Sequence, residues 1–104
     1  MPIDLGKKKR ENNGLELWVN RYMNSAYVSI IRKIDRRTAG IAGLCYRGKI
    51  NDLYNAFDSL PERITKPLAT YPAFPSDEDQ QFLEKLVVDM KAHLGLMDFR
   101  FLMV

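Results

Sequence analysis

The chain is short of the residues that most often build disulfides, metal sites and catalytic centres. Its 104 residues include a single cysteine and a single histidine. One cysteine cannot form an intramolecular disulfide or a cysteine-cluster zinc site, and it favours a reducing compartment, so we expect a cytoplasmic protein. No apolar run approaches the roughly 20 residues that span a bilayer, and we therefore expect no membrane partner.

Catalytic sequence motifs are missing as well. The chain has no Walker loop, no GxGxxG fingerprint and no HExxH zinc motif. The pattern places His93 in the last turn of a helix, where it suits the helix dipole, and Cys45 on an apolar strand face. We therefore expect a non-enzymatic protein, and the sequence predicts no catalytic residue, no metal site and no cofactor.

What the chain does have is a globular composition with an uneven division of charge. Hydrophobic residues make up 46% and charged residues 28%, which excludes a disordered or fibrous protein. Residues 1–50 hold eleven Lys and Arg against four acids, a net charge of +7, and residues 51–104 hold five against nine, a net charge of −4. A basic half suggests a surface for a polyanion or an acidic protein, and an ordinary solvated surface is the equal alternative.

Alternating and helical patterns together predict an α+β domain. Residues 1–14 are polar and aperiodic, and we interpret them as a flexible basic arm before a single domain of residues 15–104. Period-two alternation then predicts a three-stranded antiparallel meander at residues 15–23, 27–34 and 40–47.

Two helices and a last strand complete the predicted order β-β-β-α-α-β, with both helices on one face of the sheet. Asn51 is expected to cap the first helix, and the proline-rich segment 61–75 is expected to be an extended loop. The second helix has an apolar stripe over residues 76–94 and a capping box at its start. Alternation over residues 96–104 predicts the last strand.

Turn chemistry gives an expected register for the meander. A two-residue loop at residues 24–25 pairs residues whose numbers sum to 49, such as Trp18 with Ile31. A four-residue turn in the next hairpin places Tyr27 opposite Tyr46. Because side chains alternate along a strand, these registers also decide which residues share a face.

One face of the predicted sheet is apolar and the other is aromatic. The apolar face, toward the helices, carries Leu15, Leu17, Val19, Val28, Ile30, Ile41 and Cys45. The other face carries the aromatic residues Trp18, Tyr22, Tyr27 and Tyr46 among Asn20, Ser29 and Lys33. Such rings can stack unpaired bases or act as interface hot spots. The alternative is that the C-terminal strand, the proline-rich segment or a second subunit covers this face.

A dense group of cations belongs to the second hairpin and the residues that follow it. Its members are Arg32, Lys33, Arg36, Arg37, Arg47 and Lys49. Guanidinium forks match phosphate and carboxylate groups, so we expect this group to contact phosphates or an acidic partner.

These features support three functional hypotheses. The first is a binding module for nucleic acid, single-stranded or RNA, that uses the basic hairpin face and its aromatic residues. The second is a small protein inhibitor or adaptor of the phage or mobile-element type, which blocks a host defence complex, such as a nucleic-acid-binding complex, in an anti-CRISPR-like way. The third is a small ribonuclease. We also expect a homodimer through the C-terminal strand, whose apolar residues suit edge pairing.

Overall fold

The computed structural model describes residues 5–12, 14–23, 25–34, 36–60, 77–95 and 98–102. Their strands are β1 Lys7–Asn12, β2 Leu15–Tyr22, β3 Ser25–Ile34, β4 Arg37–Arg47 and β5 Asp98–Leu102. Their helices are α1 Ile50–Asp58 and α2 Asp77–Leu94. The strands form one antiparallel sheet in the order β1-β2-β3-β4-β5, which confirms the α+β class.

Strand β1 corrects the interpretation of the first 14 residues as a flexible arm. Residues Lys7–Asn12 pair with β2, so four strands precede α1 and the predicted order β-β-β-α-α-β is wrong. The turn signal Asn13-Gly14 marks this hairpin, because Asn-Gly is a preferred dipeptide of two-residue hairpin turns. Gly14 has φ +80°, as such a turn requires. An edge strand exposes its side chains, which explains how a run of cations can form one.

The β2–β3 hairpin has a different register from the predicted one but the same faces. Tyr22 pairs with Ser25, so the two-residue connection begins at Met23, which has φ +53°. Trp18 pairs with Ser29 instead of Ile31, a shift of two residues. A two-residue shift leaves every side chain on its predicted face, because the side-chain period of a strand is also two.

The β3–β4 hairpin differs by one residue, which changes the faces. Ile31 pairs with Ile41, where the predicted register pairs it with Ala42. Only two residues separate the paired Ile34 and Arg37, instead of the four that we expected, and a bulge gives β4 one extra residue, Ala39, between its pairs with Arg32 and Lys33. The shorter turn and the bulge together shift the register by one, and a one-residue shift turns every β4 side chain to the opposite face.

This reversal overturns the predicted placement of three β4 residues. Tyr46 pairs with Ala26 and lies on the face toward the helices, 4% exposed, where we expected it on the other face. Ile41 and Cys45 lie on the face away from the helices, where we expected them on the apolar one. The prediction that β4 side chains alternate between the two faces is therefore correct, but the face assigned to each side chain is wrong.

The helices and one sheet face enclose a single core. Its buried members are Leu15, Leu17, Val19, Ala26, Val28, Ile30, Ala42, Leu44, Tyr46, Leu53, Phe57, Leu83, Leu86, Val87 and Met90. The apolar stripes predicted for both helices are confirmed as the buried residues of α1 and α2. Helix α1 begins at Ile50 with Lys49 in the cap position, so the prediction that Asn51 caps it is wrong. Gly95 ends α2 with φ +65°, and its N–H donates to the Lys91 carbonyl at 2.6 Å.

Two predictions concern residues outside the described ranges. The extended loop expected at residues 61–75 lies wholly outside them. The capping box expected at the start of α2 involves Ser76, which also lies outside them.

Candidate functional site

The sheet face away from the helices has an exposed end beside the β2–β3 turn. Tyr22 is 64% exposed and Tyr27 is 55% exposed. Tyr27 pairs with Asn20, which makes Tyr22 its diagonal neighbour on the adjacent strand, about 7–8 Å away. Arg47 is exposed on the same face. It pairs with Ser25 of β3, and Ser25 pairs on its other side with Tyr22 of β2. We name Tyr22, Tyr27 and Arg47 the tyrosine patch.

Trp18 lies next to the tyrosine patch and is half-buried. It is the other diagonal neighbour of Tyr27, on the far side from Tyr22. Its Nε1–H donates to Glu16 Oε1 at 3.0 Å, so the polar edge of the indole is occupied within the protein. The structure thus places three of the four predicted aromatic residues together, with two of them well exposed to solvent.

The other end of the same face is buried. Glu16 and Ser29 are each 8% exposed, and Ile31 and Ile41 are 2% and 3% exposed. The aromatic face is therefore covered over one part of its length and open over another. The end with Tyr22 and Tyr27 is open, and the end with Ile31 and Ile41 is covered.

Arg32 is placed differently from the prediction that it contacts phosphates. It pairs with Leu15 on the helix-facing side, and it is 0% exposed. Its guanidinium carbon lies 4.8 Å from the centre of the Phe82 ring of α2, a cation–π distance. A guanidinium with no exposed surface cannot reach a ligand in solvent, so Arg32 belongs to the core.

The other predicted cations divide between the two ends of the sheet. Arg47 ends β4 beside the tyrosine patch, and the exposed Lys49 follows it, whereas Arg37 begins β4. A strand of this length separates its ends by about 30 Å, at roughly 3.3 Å per residue. The exposed Arg36 lies at the far turn, and Lys33 Nζ donates to Thr38 Oγ1 at 2.8 Å. The structure describes the backbone of Arg37 but not its side chain.

Tyr46 lies at the same end of the sheet as the tyrosine patch, on the opposite face. Its hydroxyl donates to the Lys49 carbonyl at 2.9 Å, which ties β4 to the start of α1. Burial raises the pKa of Tyr46, and the negative charge of Asp52 raises it further. Gly48 passes close to this ring, because a Cβ at Gly48 would lie 2.5 Å from the Tyr46 hydroxyl oxygen.

Three cations that sequence reasoning left out of the site surround a shallow cleft at the edge of the sheet. The cleft has a volume of about 440 Å³ and is lined by Gly6, Lys7, Lys9, Val19, Asn20 and Arg21. A second cleft of about 440 Å³ continues from Arg21 and is lined by Met23, Ser25, Ala26, Gly48 and Ile50. The signal for the first cleft was again Asn13-Gly14, since a hairpin there brings the basic run beside Arg21.

Among the described residues, no group of His, Cys, Asp and Glu side chains could hold a metal ion. The described part of the chain also contains no helix long and apolar enough to cross a membrane. Comparison with protein-family models, with curated proteins and with solved structures gives no match. The functional proposal below therefore depends on the geometry of the site.

Proposed function

We propose that the chain is a small non-enzymatic module that binds single-stranded nucleic acid through the tyrosine patch. The observation that carries the proposal is the exposure of two neighbouring tyrosine rings, at 64% and 55%, on an antiparallel sheet face with an exposed arginine beside them. Base–aromatic stacking contributes about 1–3 kcal/mol per base and accepts any base. Arg47 and Lys49 supply positive charge for the adjacent phosphates.

The same geometry favours a single strand over a duplex. In a duplex, the bases are stacked on one another and their flat faces are not available to a protein side chain. Unpaired bases can splay onto tyrosine rings such as Tyr22 and Tyr27. The sheet thus offers stacking surfaces, which suit unpaired bases, together with a modest charge.

The proposal is tested by fluorescence anisotropy with labelled single-stranded RNA, single-stranded DNA and duplex DNA of matched sequence. The titrations are run at two salt concentrations, and the fluorescence of Trp18 is followed at the same time. We expect the single strands to bind more tightly than the duplex, with affinity that falls as salt rises. Quenching of Trp18 accompanies binding, because Trp18 borders the tyrosine patch.

Substitutions within the patch separate stacking from general charge attraction. Tyr27→Ala should weaken single-strand binding by about 1–3 kcal/mol, roughly 5- to 150-fold, whereas Tyr27→Phe keeps the ring and should bind like the wild type. Val88→Ala is the control, since Val88 is a similarly exposed apolar residue on α2, 57% exposed. Absence of single-strand binding at low salt, or equal binding by Tyr27→Ala and the wild type, would refute the proposal.

A protein partner is the second candidate, and the exposure of Met23 favours it. Met23 is 89% exposed in the turn next to Tyr22, and Met, Tyr and Arg are enriched at the centres of protein interfaces. An inhibitor or adaptor would bind its protein target tightly in high salt and would show no affinity for nucleic acid. Cleavage of the labelled RNA in the same titrations would instead indicate a ribonuclease.

A further inference from the structure

The sheet end that carries the tyrosine patch has a second charged surface on its helix-facing side. Lys7, Lys9 and Arg21 surround the cleft at the β1 edge, and we name these three residues the cation cleft. Lys7 pairs with Val19 in the sheet, and Arg21 lies two residues further along β2 on the same face. All three cations are exposed.

The described residues give the cation cleft a positive charge. Within the described ranges, the ion pairs of β1 involve Lys8 and Arg10, and none involves Lys7, Lys9 or Arg21. The described residues that line the cleft include no Asp or Glu. Cations gathered around one concave surface repel one another, and an anion bound between them relieves that repulsion. A phosphodiester backbone supplies such anions at regular intervals.

The cation cleft and the tyrosine patch meet around the end of the β2–β3 hairpin. Arg21 and Tyr22 are consecutive in β2, so their side chains point to opposite faces of the sheet. The second cleft extends from Arg21 past Met23 to Ser25, at the end of the hairpin. Ser25 in turn pairs with Arg47 of the tyrosine patch. The two clefts therefore lead from the cations to the end of the sheet that carries the tyrosine rings.

We propose that one nucleic-acid strand bends around the end of the β2–β3 hairpin, with its bases on the tyrosine patch and its phosphates in the cation cleft. This inference rests on the proposed function and narrows its ligand to a flexible single strand. Duplex DNA has a persistence length of about 150 base pairs and cannot bend around two strands. A single strand can follow that path, since its backbone is flexible.

The number of phosphates that the protein neutralises distinguishes this path from binding on one face only. The logarithm of the binding constant falls with the logarithm of salt concentration, with a slope of about −0.7 per neutralised phosphate on single strands. The double substitution Lys9→Gln with Arg21→Gln removes two contacts. We expect the slope to become shallower by about 1.4 for an oligothymidylate of about 12 nucleotides.

A charge-matched control removes one lysine and one arginine elsewhere. Arg36→Gln with Lys85→Gln changes the net charge equally. Both residues are exposed, at the β3–β4 turn and on α2, and neither lines the two clefts. We expect this control to keep the wild-type slope. Circular dichroism of each variant confirms that the fold is retained before binding is compared.

The length of the oligonucleotide gives a second readout. An oligothymidylate of about 4 nucleotides, near the lower limit for small single-strand modules, can occupy the tyrosine patch without reaching the cation cleft. The wild type and the Lys9→Gln, Arg21→Gln variant should therefore bind the short oligonucleotide with the same slope. They should differ only for the long one.

Failure of this inference is distinguishable from failure of the proposed function. If Tyr27→Ala weakens binding while the cation-cleft variant keeps the wild-type slope for the long oligonucleotide, the tyrosine patch binds the strand and the bent path is wrong. If the cation-cleft variant and its control change the slope equally, the effect is general charge and the path is also wrong. If the wild type binds no single strand, the proposed function fails and this inference fails with it.

Discussion

The two ends of one sheet face differ more from each other than the pattern of their sequences suggests. Both ends belong to β2, β3 and β4, and both have the same alternation of side chains. Tyr22 and Tyr27 are more than half exposed at one end, whereas Ile31 and Ile41 are almost fully buried at the other. Exposed rings leave apolar area in water that a ligand can cover, so the open end is the one available for binding.

The comparison also separates structural polar groups from available ones. At the buried end, Glu16 accepts a hydrogen bond from Trp18 and lies 3.7 Å from the amino group of Lys8. At the open end, Arg47 forms no ion pair within the described part of the chain. Glu16 is thus paired within the protein, and the exposed Arg47 remains available to an external anion.

The largest effect that we expect is on the stability of the buried end. Ile31→Ala removes a side chain that is 2% exposed, and such truncations cost about 2–5 kcal/mol of the free energy of unfolding. Tyr27→Ala, at the open end, should change this free energy by less than about 1 kcal/mol. Urea denaturation, followed by circular dichroism, measures both values.

The same pair of variants should show the reverse order in ligand binding. Ile31→Ala protein that is still folded should bind a single strand like the wild type, and Tyr27→Ala protein should bind it weakly. Equal losses of stability in the two variants would show that the two ends are not physically distinct.

The polar contact of the buried end should have an intermediate effect. Glu16→Ala leaves the indole N–H of Trp18 without its acceptor, and hydrogen bonds to charged groups contribute about 1.5–3 kcal/mol. Glu11→Ala is the control, because its carboxylate lies 3.4 Å from the same Lys8 amino group but is exposed. We expect the control to cost less than about 1 kcal/mol. Denaturation curves in which the two variants coincide would contradict the assignment of Glu16 to the buried end.

The smallest expected effect concerns Tyr46, which lies at the open end on the opposite face. Tyr46→Phe removes the hydrogen bond to the Lys49 carbonyl and should cost about 1 kcal/mol at neutral pH. Burial raises the pKa of Tyr46, so the folded protein holds this phenol proton more tightly than the unfolded chain does. The resulting stabilisation is complete below the unfolded pKa of about 10, and it is lost as the pH rises through the raised pKa of the folded state.

The pH dependence of the difference between wild type and Tyr46→Phe isolates this group. Groups that the two proteins share cancel in the comparison. We expect the stability advantage of the wild type to be constant below about pH 10 and to shrink as the pH rises above it, through the raised pKa of Tyr46. An advantage that stays constant over this range would show that the pKa of Tyr46 is not raised.

Local patterns in the sequence predicted much of the fold. The helical spacing of apolar residues located both helices and their buried faces. For β2 and β3 the predicted faces are correct even though the register is not, because an error of two residues preserves the alternation.

Predictions that depended on contacts between distant segments were wrong. Arg32 was grouped with exposed cations, but Phe82 of α2 packs on it. Alternation with Val28 and Ile30 places Arg32 on the helix-facing side, but no neighbouring residue indicates that a helix some 50 positions later reaches it. Tyr46 and Cys45 exchanged faces because the turn before β4 is shorter than expected and β4 contains a bulge. The group of six cations was dense in sequence, yet an antiparallel hairpin separates Arg37 from Arg47 by the full length of a strand.

The sequence by itself determined the local elements of this protein, because periodicity, turn residues and helix-ending residues act between neighbours along the chain. It also determined that Trp18 and Tyr22 share one face, since alternation within a strand requires no partner. Placing Tyr27 on that face required the pairing of β2 with β3. Only the tertiary structure decided which end of that face is exposed, which arginine is buried, and that Lys7, Lys9 and Arg21 surround one cleft. These outcomes depend on the register between strands and on packing between segments far apart in sequence.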